Sequence, residues 1–552
     1  MYDNIQIGNN EIKKHEKYKD QYKINDLYWG LGIEHEVYLE FENKIIVNKD
    51  DFINNHKRER YSVDYFSNYK SIYLNEAFNY LNNEINDNIV IPILLNSNSF
   101  TKTDYKNNSK TLFSKKSESN PKFLNETLIE TLEKDNNYFN SNLENDWLFD
   151  GDTIEFINKT FYNVKLCTVF NELNNSKKIF IDKLNNSFKK NDIFTDYGKI
   201  KIMEINHPFA MYMTNLKNIA MFNNGTLHYN LTLPTLLDDN GLIKNKVKFV
   251  NDHKKAIKII QYMEPFILAI YCSKDPFSSL KKYNNKNKFS NCSQRCAISR
   301  YIGIGTYNTD IMECGKVLVK PIENIICNDY DFWWFNEYYK DNAYIKLKEI
   351  GLDINFNKHY NHGIELRFFD HIADNKIYES FEFIIYLMDY ILESEYINNF
   401  ENPIINKIWN KLVLNIMKYG KEYTLTIEEQ ELYAKIFDFE IKKNNISEIY
   451  YEIYCKLVLK YNVIYKSNNN SYILKPSGLY SSYCLSIDDN INLSIKTDIL
   501  NNLNNLNNYN NNILFSEKIV SSVPLNEKEI IIDESNINLQ IKKNDMNCCL
   551  IM

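Results

Sequence analysis

The sequence lacks any uninterrupted apolar run of about 18 residues, the length that a membrane-spanning helix needs. The nearest candidate, IIQYMEPFILAIYC at 259–272, contains a glutamine and a glutamate and predicts a buried helix instead. No charged-then-apolar segment near the first residue indicates a signal peptide. We therefore expect a cytoplasmic protein without a transmembrane helix.

Cysteine is scattered: ten residues in a chain of 552 form no dense framework. Cys292 and Cys296 are four residues apart, but no second pair stands at metal-ligand spacing, so a zinc site is not expected. This usage predicts free thiols in a reducing, intracellular compartment.

An excess of positive charge and the common catalytic loops are also lacking. The chain carries 65 Lys and Arg against 72 Asp and Glu, a net charge of -7, which argues against nucleic-acid binding. No G-x-x-x-x-G-K followed by Ser or Thr is present, which excludes a Walker-type phosphate loop. No G-x-S-x-G is present, which excludes the nucleophile elbow of an α/β-hydrolase.

The chain has ample material for a large core, because 44% of its residues are hydrophobic and 14% are aromatic. Short alternating segments followed by longer helical ones predict an α+β fold. The predicted divisions are a lead-in at 1–25, one α+β domain at 26–466 with a surface insertion at 99–146 and a helical layer at 376–466, and a flexible Asn-rich tail at 467–552.

The segment HGIELRFFD (362–370) places two opposite charges inside an apolar run. In a strand, Glu365 and Arg367 share one face, while Ile364 and Leu366 lie on the other. An edge strand with a solvated face would explain this segment if it stood alone. Three other strands repeat the pattern, however.

The first is GIEHEVYLEFE (32–42), whose alternation places five polar or aromatic residues on one face. His35 is the exception on the opposite, apolar face. The residues predicted to share the polar face are Glu34, Glu36, Tyr38, Glu40 and Glu42.

The other two strands are NGTLHYNLTLP (224–234) and WLFDGDTIEFIN (147–158). His228 and Asn230 share one face of the former, and surface polarity is the alternative explanation. Glu155 lies between two apolar residues in the latter, where a lone glutamate could keep an edge strand soluble.

Together these strands predict one antiparallel sheet with a charged face. Carboxylates with one imidazole suit a hard cation such as Mg²⁺, and an arginine supplies a planar donor set for phosphate. Such groups stabilise a transferring phosphoryl group by position and charge. The predicted face carries Glu34, Glu36, Glu155, His228, Glu365 and Arg367.

These segments resemble motifs of glutamate–cysteine ligases and related amidoligases, the carboxylate–amine ligases of the glutamine synthetase superfold. The similar segments, in the family's order over roughly 30–370, are GIEHE, DGDTIEFIN, TLHYNLTL, SRYIGIGTYN (299–308) and GIELRFFD. The resemblance implies a curved antiparallel sheet of that type with helices packed on it. It also implies an ATP-dependent carbon–nitrogen ligase that joins a small-molecule or peptide carboxylate to an amine through an acyl phosphate.

The resemblance assigns roles to individual residues. Glu365 and Arg367 would be catalytic, with Arg367 facing the transferred phosphate. Arg300 and Asn230 would bind substrate or ATP. Two or three Mg²⁺ ions would be held against ATP by Glu34, Glu36, Glu155, His228 and Glu365.

Some features depart from the family pattern. Asn158-Lys159 stands where the family has Ser or Thr before Pro, and long insertions at 43–146 and 309–360 leave the substrate pocket unassigned. Two alternatives therefore stay open: a catalytically degenerate binding or scaffold protein, and a metal-dependent hydrolase that uses the same carboxylates.

The last residues, NCCLIM, fit a prenylation box. Cys549 followed by two aliphatic residues and Met552 favours a farnesyl group, and Cys548 could carry a palmitoyl chain as a second anchor. The alternative is a chance match of four residues. The expectation is a chain that a prenyltransferase modifies and that is tethered to the cytosolic face of a membrane.

Overall fold

The computed structural model describes sixteen parts of the chain. Several predicted features lie outside them: the lead-in at 1–25, the Cys292 and Cys296 pair, the SRYIGIGTYN segment with Arg300, and the prenylation box. The described residues are 27–48, 88–91, 93, 95, 128–140, 146–150, 153–159, 163–192, 195–204, 226–238, 242–273, 291, 354–356, 363–466, 472–486 and 519–520.

The fold is α+β, as predicted, and its centre is a six-stranded sheet in the order β5-β6-β1-β8-β10-β9. Every neighbouring pair in this sheet is antiparallel. Smaller sheets pair β2 with β7, β3 with β4, and β11 with β12 and β13. Within the described residues the strands are β1 (Leu27–Val37), β2 (Leu39–Phe41), β3 (Ile45–Asn48), β4 (Asn88–Ile91), β5 (Trp147–Asp150), β6 (Thr153–Ile157), β7 (Ile200–Ile202), β8 (Leu227–Leu236), β9 (Ile354–Phe356), β10 (Ile364–Phe369), β11 (Asn462–Lys466), β12 (Tyr472–Pro476) and β13 (Ile519–Val520).

Helices cover one face of the central sheet. The α-helices of the described residues are α1 (Leu128–Asp135), α2 (Leu166–Lys190), α3 (Lys246–Tyr271), α4 (Asp374–Glu393), α5 (Lys407–Tyr419), α6 (Ile427–Phe437), α7 (Ile446–Lys460) and α8 (Ser481–Cys484). Helix α2 packs on β1 and β6, and α3 packs on β8 and β10. Helix α4 packs on α2 and α3, and α7 packs on both α3 and α4, so helices of 376–466 lie against the two helices that cover the sheet.

Period-2 alternation explains which face the helices cover. Ile33 lies opposite Tyr229, and Tyr229 lies opposite Leu366, so three neighbouring strands present apolar side chains to the same side. These three side chains are 0–1% exposed. The hydrophobic core therefore lies between this face and helices α2 and α3, and the charged residues between them in sequence point the other way.

The predicted buried helix at 259–272 is confirmed as the second half of α3. Gln261 and Glu264, the polar residues that interrupt the apolar run, are both 0% exposed. Pro265 lies inside the helix. None of the helices that the structure describes is long and apolar enough to cross a membrane.

The edge-strand alternatives are excluded, and one prediction about surface position was wrong. Strand β10 is not an edge strand, because it pairs with β8 on one side and β9 on the other, and β6 likewise pairs with both β5 and β1. Within the predicted surface insertion at 99–146, Leu128, Leu132 and Phe139 are fully buried in the core. That part of the insertion is structural, because it covers apolar surface.

The predicted start of the tail at 467 is also corrected. Strand β12 pairs along β11, and the segment after it packs against the domain. Tyr480 is fully buried, its hydroxyl donates to the carbonyl of Gly30, and its backbone N–H donates to Asp389 of α4. The folded domain thus extends beyond 466, because aromatic side chains of 472–486 complete the packing around α4 and β1.

Candidate functional site

The strand register brings the predicted polar residues into one band across the sheet. Glu34 lies opposite His228, and Glu36 lies opposite Glu155. Glu365 lies opposite Asn230. Since directly opposed residues share a face, four strands contribute to one cluster on the side away from α2 and α3.

His228 lies at the centre of this cluster and is 2% exposed. Its Nδ1 atom lies 3.0 Å from Oε2 of Glu34 and 3.7 Å from Oε1 of Glu365. Its Nε2 atom lies 3.9 Å from Oε1 of Glu36 and 3.0 Å from Oγ1 of Thr226. The imidazole therefore contacts three carboxylates from two strands, β1 and β10.

Arg367 pairs with the carboxylate two residues before it. Its Nη1 donates to Oε1 of Glu365 at 2.5 Å, and its side chain is 12% exposed. Burial alone would lower the pKa of Arg367. The negative charges of Glu365 and Glu34 together outweigh burial and raise this pKa above its ordinary value, so the guanidinium stays charged. The Nε of Arg367 is buried without a hydrogen-bond partner among the described residues. The N–H group at Nε is therefore a fixed donor that an acceptor outside the described residues could use.

The donor set fits a divalent cation. Glu34, Glu155 and His228 each offer a ligand atom, and these atoms all lie within 4.8 Å of one another. Two further carboxylates, Glu36 and Glu365, are each 1% exposed. The charges of Glu34, Glu36 and Glu365 act on the guanidinium of Arg367. Buried negative charge such as that of Glu36 and Glu365 is costly unless a cation balances it.

Two amide side chains support the carboxylates. Asn230 Nδ2 donates to Oε1 of Glu34 at 3.1 Å, and Asn355 Nδ2 donates to Oε2 of Glu365 at 2.5 Å. The Oδ1 atoms of both amides are buried without a hydrogen-bond partner in the described part of the chain. Each amide therefore orients a carboxylate and retains an oxygen acceptor.

Seven of the predicted site residues come together: Glu34, Glu36, Glu155, His228, Asn230, Glu365 and Arg367. The alternative of surface polarity for His228 and Asn230 was wrong, because they are 2% and 3% exposed. The prediction that the polar face of the first strand continues from Glu36 to Glu40 was also wrong. Strand β1 ends at Val37, and Glu40 pairs with Lys201 at 3.0 Å.

Sequence reasoning missed three supporting residues. Asn355 lies in a range assigned to an insertion, on a strand of only three residues. Thr226 precedes β8 and reaches His228. Asn158, noted only as a departure from the family pattern, accepts from the N–H of Ile33 at 2.8 Å and donates to the carbonyl of Val169 in α2. It thereby fixes the strand of Glu34 to that helix.

Comparison with known proteins finds a viral relative. An uncharacterized protein of Acanthamoeba polyphaga mimivirus is 35% identical over 434 residues, which cover 78% of this chain and 74% of the relative. The chain belongs to the family of this mimivirus protein. No family model matches the chain. The name of the mimivirus relative states no activity.

Proposed function

We propose that the protein is an ATP- and Mg²⁺-dependent carboxylate–amine ligase that forms an amide or isopeptide bond. The observation that carries the proposal is the convergence of Glu34, Glu155 and His228 beside the Glu365–Arg367 pair. This combination suits phosphoryl transfer better than simple metal storage, because it places an arginine, a donor for phosphate oxygens, beside the carboxylates that would hold the metal. The motif resemblance supports the same class and a sheet of the glutamine synthetase type.

The side chains would divide the work as follows. Glu34, Glu155 and His228 would hold Mg²⁺, with Glu36 and Glu365 as further ligands. Bound Mg²⁺ would neutralise the phosphate charge of ATP. Arg367, fixed by Glu365, would stabilise the charge on the transferring phosphoryl group. Asn230 and Asn355 would hold the carboxylates in their orientation.

The proposed reaction has two balanced steps. A substrate carboxylate oxygen attacks the γ-phosphorus of ATP, the bond to the bridging oxygen breaks, and ADP leaves. The amine nitrogen then attacks the acyl carbon, phosphate leaves with the carbon–oxygen electron pair, and the nitrogen loses a proton to water to give the amide. Arg367 serves the first step, where charge develops on the phosphoryl oxygens.

The direct test is ADP release by the full chain with Mg²⁺ across a panel of amino acids, γ-glutamyl peptides and amines. The expected result is ADP and amide formed in equal amounts, and only when ATP, metal, carboxylate and amine are all present. Metal-dependent cleavage of a γ-glutamyl peptide without ATP would instead identify a metal-dependent hydrolase. Metal binding without any turnover would identify a binding protein that keeps the cluster.

A further inference from the structure

The side of the sheet behind the candidate site holds a second polar cluster. His35 lies between Glu34 and Glu36 in β1, and strand alternation turns it to the opposite face, opposite Leu227 and Phe156. It is fully buried there. A buried histidine among apolar side chains needs a partner.

Lys177 of α2 is that partner. Its Nζ donates to Nδ1 of His35 at 2.7 Å and to Oδ1 of Asp374 at 2.7 Å. The Lys177 side chain is 5% exposed, whereas that of Asp374 is 52% exposed. Burying an ammonium is costly, so its contacts with His35 and Asp374 must offset the lost hydration. We call this chain of three side chains the rear bridge.

The rear bridge ends just beyond the strand of Arg367. Asp374 is the first residue of α4, five residues after the end of β10. The pairing of β10 with β8 is regular up to Leu366 and shifts before Phe369. Arg367 therefore lies where the hydrogen-bond ladder between β10 and β8 is irregular. The ladder alone does not fix the position of the strand at this point.

We propose that Lys177 and Asp374 are positioning residues, which hold the end of β10 so that Arg367 stays against Glu365. The rear bridge joins β1, the strand of two site carboxylates, to the segment that follows Arg367, although β8 separates the two strands. The ring of His371 adds a second contact on the same side, 5.4 Å between centroids from His35. For its activity readout this proposal rests on the ligase function proposed above.

The test compares Asp374→Ala and Lys177→Met with Lys376→Ala as the matched control. Lys376 lies in the same turn of α4 and pairs with Glu379 instead of the rear bridge. Asp374→Ala should fold, because its side chain is half exposed. Asp374→Ala also removes a carboxylate from the first turn of a helix, whereas Lys177→Met breaks the bridge without changing that turn.

Two readouts are expected to move together. Breaking the bridge should lower kcat for ADP release by about 10-fold or more while KM for ATP changes less, since small misplacement of a positioned group is costly. Hydrogen exchange of the peptide that covers 364–370 should accelerate. Asp374→Asn should restore part of both, because its amide oxygen can still accept from Lys177.

The outcomes separate the two proposals. If the wild type releases no ADP, the ligase function fails, and hydrogen exchange alone decides the role of the bridge. Unchanged exchange at 364–370 in Asp374→Ala, or an equal change in Lys376→Ala, would overturn the inference. A lower melting temperature with unchanged kcat per folded molecule would also overturn it and leave the bridge as a purely stabilising contact.

Discussion

Glu34 and His228 lie opposite each other on β1 and β8, with Oε2 of Glu34 3.0 Å from Nδ1 of His228. The other ring nitrogen, Nε2, lies 3.0 Å from Oγ1 of Thr226. Nδ1 thus lies near the carboxylates of Glu34 and Glu365, whereas Nε2 is closer to the neutral hydroxyl of Thr226 than to the carboxylate of Glu36, which is 3.9 Å away. A histidine that binds a metal through one nitrogen is commonly oriented by a hydrogen bond at the other. This geometry assigns Nδ1 as the proposed metal ligand and Thr226 as the residue that orients the ring.

The carboxylates are predicted to be required for metal binding. Glu365→Gln should weaken Mn²⁺ affinity by more than about 10-fold and abolish ADP release, because the amide keeps the shape but loses the charge. Isothermal titration with Mn²⁺ measures the affinity. Glu40→Gln is the matched control, since that carboxylate pairs with Lys201 outside the cluster. Equal Mn²⁺ affinity in both variants would contradict the assignment of Glu365.

Thr226→Val should weaken Mn²⁺ binding by about 10-fold, since loss of such an orienting partner typically costs 10- to 100-fold in metal affinity. The valine has nearly the same shape but cannot bond to Nε2 of His228. Thr232→Val is the control on the same strand, because the hydroxyl of Thr232 accepts from the N–H of Gly363 and does not contact the histidine. The assignment fails if Thr232→Val weakens Mn²⁺ binding as much.

Arg367→Lys is predicted to lower kcat and kcat/KM for ADP release together, by roughly 100-fold. Lysine keeps the positive charge but lacks the planar set of donors of arginine. In that set Nη1 binds Glu365, and Nε has no hydrogen-bond partner among the described residues. Steady-state kinetics with ATP as the varied substrate measure the effect. A rise in KM with unchanged kcat would assign Arg367 to ground-state nucleotide binding.

Much of the sheet could be predicted from the sequence, because alternation is a local property. The spacing of Glu34 and Glu36, of His228 and Asn230, and of Glu365 and Arg367 fixes which side chains share a face within each strand. That the polar faces of the separate strands lie on the same side could be predicted only by assuming that these strands form one sheet. The register is what places Glu34 opposite His228.

The remaining features depend on contacts between distant parts of the chain. No local pattern indicates that Lys177 of an amphipathic helix reaches His35, 142 residues away. The break at Tyr38, which sends Glu40 to Lys201 of β7, is equally invisible in a sequence that alternates without interruption. Asn355 was missed because β9 is only three residues long, too short for a periodic signal.

The last prediction concerns stability against acid. Burial lowers the pKa of His253 to about 4, and the neutral ring donates from Nδ1 to the carbonyl of Phe249 while Nε2 accepts from the N–H of Leu233. Protonation of His253 at Nε2 would place its new N–H group against the backbone N–H of Leu233, so that two donors would face each other. Because the folded pKa lies below the ordinary value, the stabilisation is present above about pH 6.5 and is lost as the pH falls towards 4. The loss from His253 should reach roughly 3 kcal/mol.

Urea unfolding of the wild type and of His253→Phe from pH 7 to pH 4 measures this effect. The variant should be less stable at pH 7, since the N–H of Leu233 loses its acceptor, yet its stability should fall less on acidification. Burial raises the pKa of Asp389 to about 6, so its contribution is full below its ordinary pKa of 3.8 and is lost as the pH rises through 6. That opposing slope is common to both proteins and cancels in their difference. Parallel curves for the two proteins would show that His253 does not titrate on unfolding and would remove it as a source of acid sensitivity.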